Sequence, residues 1–410
     1  MRVAYITAGA AGMYCGSCLH DNTLAAALQR RGHEVALIPT YTPVRTDEPD
    51  VSIDRVFYGA LNVYLEQKWR FFEHSPRLLH WLLDRRFVLN QISRFAGSAA
   101  TQGHELGALT LSIVQGENGH QCSELERLVE WLRDDYKPEL VHITNSMLIG
   151  MARRIKAELG VPVLCSLQGE DVFLDDIVEP YRSQVHEEIR ARVADVDAFV
   201  APSHYYAEAM GTYLGVDPAA IRIVRLGITP DGHEPGEPDP GRPFTIGYLA
   251  RICPEKGLHV LIEALRLISA SGETPVRLRI GGYLGGRDEA YQTELAQKVE
   301  RWGLSDRVEW LGEVDRDGKM ALLRAIDVFS VPTVYRESKG LPVLEAMASA
   351  VPVVQPAHGN FPEIIEATGG GVLFEPDDPQ ALATAIIELM HDPARRAQLG
   401  RRGREVVLRS

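Results

Sequence analysis

The chain is poor in the features that mark several protein classes. Five cysteines in 410 residues are too few for a disulfide framework. No stretch reaches about 18 uninterrupted apolar residues, so no transmembrane helix is expected. The amino terminus reads MRVAYITAGA, without a basic leader ahead of a long apolar run, which argues against a signal peptide. There is no basic excess. The formal charge is −13, which disfavours non-specific binding to nucleic acid. The fingerprint G-x-G-x-x-G is missing, which counts against a nicotinamide-dependent dehydrogenase. No Asp-x-Asp pair follows a strand to hold Mg²⁺ or Mn²⁺, and no short-period repeat or low-complexity tract is visible. A cytoplasmic protein with no resident metal or cofactor is the expectation.

What remains is an ordinary soluble balance, 45% hydrophobic and 24% charged. The length favours two domains. Val3–Ile6 reads as a strand and is followed by a turn carrying Gly9, Gly12 and Gly16. A helical stretch spans Asn22 to Arg31, closed by Gly32, and a second strand covers Glu34–Ile38. That order opens a parallel, doubly wound sheet. Further apolar strands are read at Leu140–Ile143, Val161–Leu167, Ala198–Ala201 and Ile221–Val224. Residues 230–243, PDGHEPGEPDPGRP, hold five prolines and three glycines and read as a linker. The α/β rhythm then restarts with strands at Phe244–Leu249, Val276–Ile280, Val308–Leu311, Val328–Val331 and Val351–Val354. The expectation is an α/β protein of two Rossmann-like domains, 1–235 and 236–410, with a deep interdomain cleft.

Two motifs in the second half carry chemistry. In Gly247–Gly257 a strand delivers Arg251 into a turn and Lys256 precedes the next helix. Two cations so spaced suit a diphosphate and charge growing on a leaving group. In Glu337–Met347 a loop carries Glu337, Gly340 permits unusual backbone, and Pro342 fits a first helical turn. The amides of that turn form an anion site, and Glu345 lies about one turn into the helix. Carboxylates accept hydrogen bonds from neutral diols, so the pair suits sugar and ribose hydroxyls.

These residues resemble the retaining glycosyltransferases of the two-Rossmann GT-B fold, family 4. Arg251 and Lys256 match that family's diphosphate pair. Glu337 and Glu345 match its two glutamates with seven residues between them. Leu311-Gly312-Glu313-Val314 resembles its loop near the nucleobase, and Phe361-Pro362-Glu363-Ile364 its Pro-Glu helix start. The resemblance implies an enzyme moving a hexosyl group from a nucleotide-diphosphate sugar to a hydroxyl acceptor: a sugar, a polysaccharide or a lipid-linked sugar. It implies Glu337 at the donor sugar, Glu345 at the ribose and Val314 near the base. Arg251, Lys256, Gly12, Gly16, Gly340 and Leu341 would lie at the diphosphate or sugar. Reaction on one face of the sugar, without a covalent glycosyl-enzyme, is also implied.

The first half departs from the pattern. Where relatives carry two histidines one residue apart, this chain has His142 and Thr144. His142 is either a catalytic residue or a core or capping histidine, with Thr144 or Asn145 taking the ligand-facing position. Gln168-Gly169-Glu170-Asp171 stands where His-Gly-x-Asp is usual. Asn145, Gln168 and Asp171 are therefore the acceptor-side candidates. A non-catalytic nucleotide-sugar-binding protein on the same scaffold is the alternative these departures leave. Cys15-Gly16-Ser17-Cys18 reads as small residues near a ligand, or as a redox pair, or, with His20, His120 and Cys122, as a metal site. Segment 64–95 is dense in aromatics, Leu and Arg. It reads either as packed helices or as a peripheral membrane or acceptor surface, with Trp69, Phe71, Phe72, Trp81 and Phe87 as apolar contacts and Arg70, Arg77, Arg85 and Arg86 as basic ones. Relatives commonly continue into an aromatic-containing helix that crosses back to the first domain. Here the expectation is that either the protein is short at this point or the sequence, ending at Ser410, is incomplete.

Overall fold

The structure, a computed structural model, describes residues 1–9, 15–57, 103–237, 241–270, 272 and 275–409. Segment 64–95 and Gly12 lie outside the described residues. The chain divides into two compact units, Met1–Leu226 and Gly227–Ser410.

Unit 1 is built on strands β1 (Arg2–Thr7), β2 (Glu34–Pro39), β3 (Leu140–Ile143), β4 (Val163–Ser166), β5 (Ala198–Ala201) and β6 (Arg222–Ile223), in the spatial order β2-β1-β3-β4-β5-β6. Every pairing is parallel, so both faces must be covered by helices and the strands read as near-continuous apolar runs. The two-residue alternation divides them. Val3, Tyr5, Val35 and Leu37 face helix α1 (Gly16–Arg30) through Cys18 and Ala25, while Ala4, Ile6, Ala36 and Ile38 join the larger core on the other side. Helix α1 begins at Gly16, earlier than the apolar spacing indicates, and Gly32 follows its end with φ +84°.

The buried face of α1 is unusually polar: Asp21, Asn22 and Thr23 are all buried. Each is satisfied. Asn22 donates to Pro49 O at 3.0 Å and accepts from Val51 N at 2.9 Å, and Thr23 donates to Glu48 at 2.8 Å.

Unit 2 holds β7 (Phe244–Leu249), β8 (Val276–Gly281), β9 (Val308–Gly312), β10 (Val328–Phe329), β11 (Val353–Pro356) and β12 (Gly371–Phe374). The spatial order is β12-β11-β10-β7-β8-β9, again wholly parallel. This is the order of a dinucleotide-binding Rossmann sheet. The strand order, not the strand direction, reverses between β7 and β10, which pair as Val328↔Ile246 and Phe329↔Gly247. Helix α2 (Leu258–Ala270) leads the chain from β7 towards β8. Helix α3 (Arg316–Arg324) follows β9, helix α4 (Leu341–Ala348) follows β10, and α5 (Pro393–Arg409) closes the unit.

The boundary falls nine residues before the expected one. Residues 227–235 belong to unit 2 although their composition reads as a linker. Several contacts hold them there, among them His233 Nδ1 at 3.0 Å from Ser349 Oγ, Arg404 of α5 donating to His233 O, and Arg316 of α3 donating to Asp231 O at 2.6 Å.

Candidate active site

In an open parallel sheet, loops leaving neighbouring strands in opposite directions open a crevice beyond the strands' carboxyl ends. In unit 2 these are the loops after β7 and β10, and they carry Arg251, Lys256 and Glu337. Lys256 Nζ donates to Glu337 Oε2 at 2.6 Å and to Tyr335 Oη at 2.5 Å. Tyr335 Oη donates to the same Glu337 oxygen at 2.6 Å, and the Lys339 amide donates to Glu337 Oε1 at 3.1 Å. The ammonium also lies 4.8 Å from the centre of the Tyr335 ring.

Backbone contacts hold the two loops in register. Val334 N donates to Glu255 O at 3.0 Å. Gly257 adopts φ +68°, and a Cβ there would stand 1.7 Å from Pro332 O, so only glycine fits.

Burial of Glu337 opposes its ionisation. The Lys256 charge, with hydrogen bonds from Lys256, Tyr335 and the Lys339 amide, overcomes this and holds the carboxyl at about 2. Lys256 moves the other way: burial opposes its charge, but Glu337 and Tyr335 push it above the usual lysine range. Glu337 is therefore an ionised acceptor at neutral pH, unable to deliver a proton. Two of the three Lys256 N–H donors are used among the described residues, and its side chain keeps 22% exposure.

Arg251 stands beside this cluster. Its Nε donates to Cys253 Sγ at 3.2 Å and its Nη2 lies 3.7 Å from Glu255, with 36% of the side chain exposed. Gly340 caps α4 at φ +77°, and Leu341 is the first helical residue, so the amides of that turn open at the carboxyl end of β10. Glu345 is buried on α4 and bonds to Lys319 of α3. Val314, half-buried, lies in the loop that leads from β9 into α3.

Unit 1 presents its own switch point, between β1 and β3. The buried residue there is Asp21 of α1. Tyr5 Oη donates to its Oδ1 at 2.6 Å, Thr7 Oγ1 and Thr144 Oγ1 to its Oδ2 at 2.6 Å each, and Gln168 Nε2 to Oδ1 at 2.8 Å. His20 Nδ1 lies 3.2 Å from Oδ1. Burial raises this carboxyl, but His20, Thr144 and Thr7 outweigh it and bring it to about 2. One carboxylate thus ties α1 to the carboxyl ends of β1, β3 and β4.

Of the acceptor-side candidates, Gln168 belongs to this cluster. Asn145 is buried beside it, and both Gln168 Oε1 and Asn145 Oδ1 have no partner among the described residues. Asp171 accepts from Tyr206 Oη at 2.7 Å, and burial raises its carboxyl. Gly16, exposed, opens α1.

His142 is placed differently from a residue facing a ligand. It sits within β3, stacked on Tyr5 with ring centres 4.3 Å apart and planes 2° apart, and its Nε2 lies 2.7 Å from Ser166 Oγ. Burial lowers its pKa to about 4, so it is neutral at physiological pH. This geometry is that of a packed histidine, one of the two readings its sequence position allows. Thr144 lies on the Asp21 side. None of the five cysteines forms a disulfide, and among the described residues no group of three His, Cys, Asp or Glu could hold a metal. Among the described residues no helix is long and apolar enough to cross a membrane.

Several residues of these clusters escaped the motif reading, among them Asp21, Lys319 and Tyr335. The only signal for Tyr335 is its position two residues before Glu337. For Asp21 it is a charge on a helix face that otherwise buries small residues.

Solved structures share this fold across both units. The Anabaena protein HepE, crystallised with UDP, superposes with a TM-score of 0.68 at 17% identity, covering 100% of this chain and 95% of that one. Sucrose-phosphate synthase of Thermosynechococcus elongatus gives 0.69 at 20% identity, covering 100% and 94%. The architecture is that of the GT-B glycosyltransferases. In sequence, "Glycosyl transferase 4-like domain" matches residues 22–227 and "Glycosyl transferases group 1" matches residues 233–406. WcaL of Salmonella typhimurium, whose name assigns it to colanic acid biosynthesis as a glycosyltransferase, is 31% identical over 366 residues, 75% of this chain and 87% of its own. The D-inositol 3-phosphate glycosyltransferase of Rhodococcus opacus is 26% identical over 92% of this chain and 78% of its own. The chain belongs to the group 1 glycosyltransferases.

Proposed function

We propose that the protein is a retaining hexosyltransferase of family 4, taking a nucleotide-diphosphate sugar as donor and a carbohydrate hydroxyl as acceptor. The Lys256–Tyr335–Glu337 cluster at the unit 2 switch point carries this reading. It sets a cation with a spare donor next to a carboxylate held ionised, beside Arg251 and the first amides of α4. Lys256, Arg251 and the amides of Gly340 and Leu341 bind the diphosphate and take up the charge that grows as it leaves. Glu337 accepts from a donor-sugar hydroxyl through the remaining capacity of its Oε1. With its proton absent at neutral pH, it is not the general acid. Glu345 receives the ribose and Val314 borders the base. In unit 1, Asn145 and Gln168 offer carbonyl oxygens to hydroxyl donors, and Asp171 is a further acceptor-side carboxylate. HepE, of the same fold, was crystallised with UDP, which favours a nucleoside diphosphate here.

Calorimetric titration with UDP, GDP and ADP, and with their glucose, mannose and N-acetylglucosamine derivatives, tests the donor site. Saturable binding of one nucleotide, weakened about 10-fold or more in Lys256→Ala, is the expected result. Binding unchanged by that substitution removes the diphosphate assignment. Binding without any turnover in the presence of carbohydrate acceptors turns the reading into a non-catalytic one. Anomeric configuration of the product, read by NMR, decides retention against inversion.

A further inference from the structure

Cys15 and Cys18 are placed as a pair by the start of α1. Cys15 is the N-cap residue, extended at φ −127° and ψ 132°, and Cys18 is the third residue of the helix. Side chains at these two positions lie over the same turn, the spacing of a capping box. Three residues apart on a helix, Cα atoms stand about 5 Å from one another. That lies inside the range of about 4.4–6.8 Å that a disulfide spans. Both side chains turn to the same small core: Cys18 is buried in it, and Cys15, half-buried, packs against it. The two thiols are hydrogen-bonded to each other. The other three cysteines lie on separate elements: Cys122 is exposed at the start of helix Cys122–Trp131, Cys165 is buried in β4, and Cys253 is buried in the loop after β7. Capping does not explain Cys15. An N-cap favours Ser, Thr, Asp or Asn, whose oxygen accepts from the helix amides, and the Cys15 side chain makes no such bond. A serine, similar in size, would suit a tight turn and cap the helix as well.

We propose that Cys15 and Cys18 are a reversible dithiol–disulfide site, oxidised by thiol–disulfide exchange with a small disulfide such as oxidised glutathione. The two sulfurs have different roles. The bond with Cys15, burial and the nearby Asp21 carboxylate hold the Cys18 thiol well above the usual range, so it keeps its proton. Cys15, half-buried at the amino end of a helix whose dipole favours an anion, is the sulfur that meets an incoming disulfide. Having given its proton to solvent, the Cys15 thiolate attacks R–S–S–R and expels RS⁻, which takes up a proton. Cys18 then gives its proton to solvent and attacks the Cys15 sulfur of the mixed disulfide. The second RS⁻ leaves and is protonated in turn. Two cysteine thiols are oxidised by two electrons in all, and one disulfide is reduced to two thiols. The bond formed joins the N-cap to the first turn of the helix that carries Asp21.

To test this, the folded whole chain is equilibrated with oxidised and reduced glutathione at about 1 mM each and quenched in acid. Remaining thiols are alkylated, and the peptide holding both cysteines is read by mass spectrometry. In the wild type the Cys15–Cys18 disulfide, free of glutathione, should exceed the dithiol about 10-fold and revert with dithiothreitol. In Cys18→Ala a single glutathione should remain on Cys15, since nothing resolves it. Exposed Cys122 should carry glutathione in both proteins and shows that exchange has run. A wild-type pair that stays reduced while Cys122 is modified overturns the proposal. So does a wild-type chain in which Cys15 keeps its glutathione as fully as in Cys18→Ala, because Cys18 then fails to displace it. The wild-type measurement stands by itself if the variant does not fold, and neither reading depends on whether the protein binds a nucleotide.

Discussion

Replacing Asp21 by asparagine is the sharpest probe of unit 1. The substitution keeps shape and removes charge. With the amide oxygen in the place of Oδ1, Tyr5, Gln168 and His20 keep an acceptor. The new NH₂ group then faces the hydroxyls of Thr7 and Thr144, which must rotate from donating to accepting. What is lost is the charge assistance of the whole set. A carboxyl drawn from 3.8 to about 2 contributes about 2 kcal/mol of folding stability at neutral pH. Frustrated hydroxyl geometry adds about 1 kcal/mol more. The expected cost of Asp21→Asn is thus about 2–4 kcal/mol, placed in unit 1. The sign with pH follows from the depressed value. The stabilisation is full above the ordinary carboxyl pKa and is lost as pH falls through about 2, so the gap between wild type and variant should be constant from pH 7 to about 4 and shrink below. Amide hydrogen exchange read along β1 and β3, with the amides of unit 2 as internal reference, measures it without assuming that both units unfold together. Protection in β1 and β3 within about 0.5 kcal/mol of wild type at pH 7 would refute the reasoning. So would a gap that persists undiminished in acid.

Other consequences can be checked beside it. Glu337→Ala should lower turnover by about two orders of magnitude or more if the carboxylate meets the reacting sugar, and near-normal turnover removes it from that place. Gly257→Ala should destabilise unit 2 by more than about 2 kcal/mol, since it adds both positive-φ strain and a Cβ 1.7 Å from Pro332 O. Gly303→Ala, at φ +67° with nothing within 4 Å of the added atom, should cost only about 1 kcal/mol in chemical denaturation. Equal effects at the two glycines would show that backbone strain alone is being measured.

The elements were legible where periodicity and burial agree. Phe244–Leu249 and Leu140–Ile143 are strands with the bounds their apolar runs indicate, because parallel strands buried on both faces leave continuous hydrophobic segments. Val328–Val331 is only partly strand: the ladder stops at Phe329, where the chain turns into the loop that carries Tyr335 and Glu337. Gly371–Phe374 was not legible, since an edge strand with half-exposed residues has little pattern. The proline-rich run misled about the boundary, because composition does not reveal that His233 reaches Ser349, 116 residues on. The same limit explains the site. Arg251, Lys256, Glu337 and Glu345 lie in local motifs. Their partners Tyr335 and Lys319, and the Asp21 hub 147 residues from Gln168, come together only through the sheet order. His142 illustrates the converse, a motif position whose ring the fold spends on packing.

The tie between Arg404 and the carbonyl of His233 has a bearing on synthesis as well as on stability. Ribosomes deliver a chain in order, at about 5–20 residues per second. Unit 1 can reach its native topology while residues beyond 227 are still being added. Unit 2 cannot do the same piecewise, because the segment that enters it first is anchored by the helix made last. About 170 residues must emerge before that helix arrives to latch the entry segment, roughly 10–30 seconds during which the carbonyl of His233 lacks the Arg404 donor. A nascent chain stalled before Arg404 should therefore be cut by protease near residues 227–237, and one released past it should not.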